Sequence, residues 1–111
     1  MNPSLRWLFV GVLLVGCDSR KLSEPDSVVF PPNFSEIRDR ILIPRCVNCH
    51  TEFVSHHALV SDKELIVPND SAASQFFQAI QSGDMPRYSP RLGDPEISAI
   101  GSWIQNGALN D

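Results

Sequence analysis

Cys46 and Cys49 stand three positions apart, and His50 follows the second directly, in the stretch "RCVNCHT" at 45–51. Two thiols and an imidazole within five residues all have to face one object, so whatever they hold becomes the centre the chain is built around. The candidates are a haem, a zinc ion, a redox disulfide and coincidence. A closed zinc site needs four ligands, usually in two separated pairs. Here the remaining ligands would have to come from His50, His56 and His57, all bunched within 46–57. A redox CxxC opens a helix after a strand, and this chain lacks the alternation of strands and helices that such a fold requires. Coincidence leaves the histidine unexplained. Haem fits directly: two thiols three residues apart on a helical turn match the two vinyl groups of a porphyrin, and the next residue turns its imidazole to the iron.

The other end of the chain says where such chemistry would sit. "MNPSLRWLFVGVLLVGC" begins with one positive charge, Arg6, and then runs apolar from Trp7 to Val15 with only glycine interrupting. That is the pattern of a secretory signal, and it is shorter than the ~20 residues a membrane-spanning helix needs. Its end, "LVGC" at 14–17, resembles the lipobox of bacterial lipoproteins. The resemblance implies a signal peptide at 1–16, with Cys17 as the acylated mature N-terminus and the protein's link to membrane lipid. A cysteine carrying more than one acyl chain holds a protein on a bilayer without a spanning helix. It also accounts for the odd cysteine among three, leaving Cys46 and Cys49 as a pair in an exported compartment. Of 9 Lys and Arg and 13 Asp and Glu, only Arg6 lies in 1–16, so the mature chain carries 8 against 13, a net of −5 with neutral histidines. That balance argues against nucleic acid as a partner.

Residues 18–32, "DSRKLSEPDSVVFPP", are polar, hold three prolines and show no periodicity. Such a stretch buries too little apolar area to offset its ordering entropy. Residues 17–32 therefore read as a lipidated N-terminus and tether, with "VVF" at 28–30 able to dock on the domain. The domain is 33–111, small enough that a large apolar cofactor would supply missing interior.

Three helices are expected in it. The first follows Asn33, which caps it with Glu36 as capping-box partner. Phe34, Ile37 and Ile41 form its apolar face, and Pro44 ends or kinks it. The second lies in "NDSAASQFFQAIQSG", capped by Asp70 or Ser71, with Phe76, Phe77 and Ile80 as its stripe and Gly83 as its left-handed stop. The third lies in "GDPEISAIGSWIQNG". Asp94 caps it, Pro95 takes the first position and Glu96 suits the positive end. Ile97, Ile100, Gly101 and Ile104 line one face with Trp103 beside it, and Gly107 ends it. Gly101 costs about 1 kcal/mol against alanine inside a helix, so it is expected where another backbone comes close. No stretch alternates long enough for a strand. The region 51–69 reads as loop with a short turn of helix.

A haem iron needs a sixth ligand or an open site. Met85 is the one methionine left once Met1 departs with the signal, and it sits in "SGDMPRYSP", where Pro86 biases it to extended backbone. It is the candidate distal ligand, with His56 and His57 as rivals and a gap-filling core role as the alternative.

With these residues in place, the chain resembles the class I monohaem cytochrome c family over nearly all of 33–111. The resemblance rests on Cys46-Val47-Asn48-Cys49-His50, on "GDMP" at 83–86 and on the ending "LGDPEISAIGSWIQNGA" at 92–108. Thr51 stands where a glycine often follows the histidine, and the pair His56-His57 is unusual. The resemblance implies an all-α, cytochrome c-like fold of about three main helices around one covalently bound haem c. Cys46 and Cys49 would hold the haem, His50 would be the proximal metal ligand and Met85 the distal one, with the first and last helices crossing near Ile41, Gly101 and Ile104. The function implied is single-electron transfer between redox protein partners, without enzyme activity, at the periplasm-facing bacterial cell envelope. Two other classes stay open: a haem sensor or peroxidase-like subunit with a labile sixth ligand, and a non-haem metal-binding lipoprotein. Arg45, Arg87 and Arg91 flank the ligand loops as candidates for haem propionates or a docking ring, against a plain solvated role. Trp103 is a candidate propionate donor, against a plain core role.

Overall fold

Asn33 holds extended backbone and its side-chain oxygen accepts the Glu36 N–H at 2.9 Å, opening the first helix as expected. The reciprocal half of the capping box does not form. The Asn33 N–H donates to the Pro31 carbonyl, and the Glu36 carboxylate pairs with Arg40 Nε at 2.6 Å, one helical turn on. A computed structural model describes residues 30–111 of the chain. The signal at 1–16, Cys17 and the tether as far as Val29 lie outside the described residues.

Helix α1 spans 34–45 in three pieces: an α-helical turn at Phe34–Ile37, a π-helical turn at Arg38–Leu42 and a closing turn at Ile43–Arg45. Pro44 therefore sits inside the last turn and does not stop the helix ahead of it. A proline ring collides with the carbonyl four residues back. The wider turn just upstream, in which Ile43 N–H reaches Arg38 O, is the local adjustment that makes room. The helix ends at Cys46, where φ is −121° and the Cys46 and Val47 N–H groups share the Leu42 carbonyl. Phe34, Ile37 and Ile41 are buried, as their spacing requires, and Leu42 joins them.

A 3₁₀ turn at Thr51–Val54 and helix α2 at His56–Ser61 occupy the segment expected to be loop with a short turn of helix. Ser55 caps α2 by accepting the Ala58 N–H. Helix α3, Gln75–Ser82, begins later than the sequence suggests. Asp70 caps a separate turn by accepting the Ala73 N–H at 3.1 Å. Ser74, fully buried, uses its hydroxyl to accept the Val67 N–H at 2.8 Å and to donate to the Asp70 carbonyl at 2.9 Å. Its oxygen is committed to that loop, so α3 starts without a side-chain cap. Gly83 ends α3 at φ 87°, a conformation that favours glycine.

Helix α4, Asp94–Gln105, takes Asp94 as its first residue, after Gly93, so Asp94 is not the cap. Ile97, Ile100, Trp103 and Ile104 are buried, and α4 lies against both α1 and α3. A methyl group on Gly101 would stand 2.8 Å from Cε2 of Phe77, so the nearest group this glycine admits is a ring of α3. Beyond α4 the chain returns to the start of α1. Asp111 accepts the Phe34 N–H with its carboxylate and the Ser35 N–H with its carbonyl, each at 2.9 Å. Phe30 packs on the edge of the core with the Arg40 guanidinium 5.7 Å from its ring, so the last residue of "VVF" does dock. Among the described residues the protein is all-α, with four helices and no strand, and none is long and apolar enough to cross a membrane.

Candidate functional site

The last turn of α1 delivers Cys46, and the turn that follows delivers Cys49 and His50. The N–H groups of Cys49 and His50 both donate to the Cys46 carbonyl, at 3.1 and 2.9 Å. This tight turn puts both thiols and the imidazole on the wall of one cavity of about 350 Å³. The volume is at the lower end of the ~300–1,000 Å³ typical of ligand clefts. Met85 lines the same cavity, from the opposite direction in sequence. It arrives there because Gly83 turns the chain after α3 and the Met85 N–H folds back onto the Ala79 carbonyl at 3.1 Å. The Met85–Pro86 peptide bond is cis. Cys46, Cys49, His50 and Met85, singled out by residue type and spacing, therefore share one cavity.

The apolar wall comes from Phe53, Leu65, Phe76 and Ile80. Phe76 and Ile80 belong to the predicted stripe of α3. Phe53 and Leu65 carry no such signal in the sequence, because they lie in a segment without periodicity. His50 stacks on Phe53 with ring centroids 4.6 Å apart and planes 7° from parallel, and its Nδ1 is 3.8 Å from a Glu52 carboxylate oxygen. Burial pushes the Cys46 thiol above its ordinary range, opposed in part by the neighbouring Arg45 charge. Cys49 is exposed.

His56 and His57 are not in the cavity. The His56 Nε2 is 2.7 Å from the Ala108 carbonyl, and its ring meets Phe34 edge-on at 5.0 Å and lies 6.1 Å from Trp103. His57 is exposed on α2. Trp103 is also committed elsewhere: it is buried and its indole N–H donates to the Leu109 carbonyl at 2.8 Å. Its position supports the core role over the propionate role. Of the arginines, Arg45 and Arg87 line the cavity. Arg45 donates to the Ser89 hydroxyl and to the Pro90 carbonyl, tying the cysteine turn to the methionine loop. Arg91 donates to the Gln81 carbonyl at 2.7 Å and braces the end of α3. Tyr88 stands fully exposed on the rim.

The donor set fits a covalently attached haem. Two thiols on one turn suit the two thioether bonds, and an imidazole and a thioether sulfur are an accepted axial pair. The rest of the wall is largely apolar. A closed zinc site is a poorer match, since it needs four ligands. Among the described residues no three His, Cys, Asp or Glu side chains gather to hold a metal ion. No protein-family model matches the chain, and neither a curated protein nor a solved structure is significantly similar to it.

Proposed function

We propose that this chain is a membrane-tethered monohaem c-type cytochrome that passes single electrons between redox protein partners. One observation carries the reading: Met85, far along the chain, lines the same cavity as Cys46, Cys49 and His50. A bound haem supplies a reversible one-electron change, and the protein supplies attachment, ligands and a low-dielectric wall. Cys46 and Cys49 form the thioethers. His50 offers the proximal nitrogen and Met85 the distal sulfur, a pair that raises the potential relative to histidine alone. Phe53, Phe76 and Ile80 keep water from the enclosed side. The exposed positions of Cys49 and Tyr88 leave one edge open for electron exchange. On this reading the protein is not an enzyme. Acylated Cys17 anchors it to membrane lipid at the periplasm-facing cell envelope, with residues up to 32 as the tether.

The reading is tested on the purified mature chain by a reduced-minus-oxidised spectrum together with intact mass. A c-type spectrum and one added haem mass are expected. A colourless protein with the mass of the polypeptide and its acyl groups alone would refute it. Met85→Ala should alter the reduced spectrum, lower the potential and open the iron to carbon monoxide. An unchanged potential would remove Met85 as a ligand. Rapid, complete carbon monoxide binding to the unaltered protein would favour a sensor or peroxidase-like subunit.

A further inference from the structure

The torsion that rotates an imidazole about its Cβ–Cγ bond is intrinsically broad, so something outside the ring has to choose its plane. Ring orientation in a metal-bound histidine is set by the groups around it. In this fold the choice falls to the 3₁₀ turn that follows His50 directly. The Phe53 N–H donates to the His50 carbonyl at 3.0 Å, which closes the turn and brings the Phe53 ring onto the imidazole face. The two rings lie 4.6 Å apart and 7° from parallel. Phe53 is itself held: it is 7 % exposed, and Phe76 meets it at 63° with centroids 5.5 Å apart. The Glu52 carboxylate, 3.8 Å from Nδ1, is too distant for a direct hydrogen bond. The face contact with Phe53 is thus a restraint on the ring plane that the Glu52 carboxylate does not supply.

We infer that Phe53 is the positioning residue of His50, fixing the plane of the proximal imidazole through face-to-face contact. The inference rests on the haem reading above. The orientation of an axial imidazole relative to the porphyrin nitrogens governs the g-values of the oxidised low-spin haem, so the effect is visible without any activity assay.

The test compares electron paramagnetic resonance spectra of the oxidised, haem-loaded full chain and its variants. The unaltered protein should show one narrow set of g-values. Phe53→Leu should broaden that set or add a second, as the ring samples more than one plane. Phe53→Tyr, which keeps an aromatic face, should restore a single set. Phe34→Leu loosens the core beside His56 and Trp103, away from the cavity, and should leave the single set intact. If Phe53→Leu does not accumulate, Phe53→Met fills the same space flexibly and is read in its place. The inference is overturned if Phe53→Leu, or Phe53→Met read in its place, keeps the original g-values, or if Phe34→Leu disturbs them equally. A chain that carries no covalent haem at all overturns the cytochrome reading and this inference together, and the mass measurement separates that case from the others.

Discussion

Replacing Gly101 by alanine adds one methyl group to α4 where it faces α3. Two effects oppose each other. Alanine in place of glycine in a helix interior gains about 1 kcal/mol. The new methyl, however, would lie 2.8 Å from Phe77 Cε2 and 3.1 Å from Cζ, closer than carbon atoms tolerate. Overpacking of this kind costs about 1–3 kcal/mol. Phe77 is half-buried, so its ring can yield in part and the cost falls toward the lower end. The net expectation is a loss of about 0–1 kcal/mol for Gly101→Ala, or up to roughly 4–8 °C in melting temperature for a domain of this size. A double-mutant cycle resolves the two effects. Phe77→Leu deletes the atoms that collide, so in that background Gly101→Ala should stabilise the protein by about 1 kcal/mol. The assay is urea unfolding of the full chain followed by far-UV circular dichroism, with all four proteins loaded with cofactor to the same extent. If Gly101→Ala stabilises the unaltered protein as much as it stabilises the Phe77→Leu protein, the glycine is not there to admit the ring.

Asn33→Ala removes the acceptor for the Glu36 N–H and should cost about 1 kcal/mol in the same unfolding measurement. Asp111→Ala removes the carboxylate that accepts the Phe34 N–H and should cost about 0.5–1.5 kcal/mol; an unchanged midpoint would mean that this side-chain bond does not hold α1. In the haem-free chain near neutral pH, Cys46 should be alkylated more slowly than exposed Cys49, read by peptide mass, because burial raises its pKa and starves it of thiolate. The same raised pKa makes the unfolded chain lose this proton first. The contribution of Cys46 to the stability of the haem-free protein is therefore full below the ordinary thiol pKa of 9.0 and declines as pH rises through that value toward the folded one. A midpoint that rises over that interval would contradict the sign.

Short-range patterns were readable before any fold was known. The buried faces of α1, α3 and α4 follow from residues three and four apart, because a helix presents those positions on one side. Asn33 and Gly83 were legible as cap and stop because their roles depend only on adjacent backbone. The cysteine–histidine turn was legible for the same reason. Where a signal from single residues failed, the conformation of neighbouring turns accounts for it. Asp70 caps a separate turn and Ser74 bonds back to Val67, so α3 begins at Gln75, and Pro44 is absorbed by a wider turn upstream.

What the sequence alone determined is the inventory: which residues could bind, and which stripes had to be buried. Tertiary structure decided the sharing of space. It set Met85 on the wall of the cavity that the thiols line, with its N–H bonded to Ala79, and turned His56 away to Ala108 and Trp103. It also matched Gly101 to Phe77 and laid Phe53 against His50. These outcomes depend on turns outside the helices and on which groups share one carbonyl or one gap, and a helical periodicity along the chain holds no record of either.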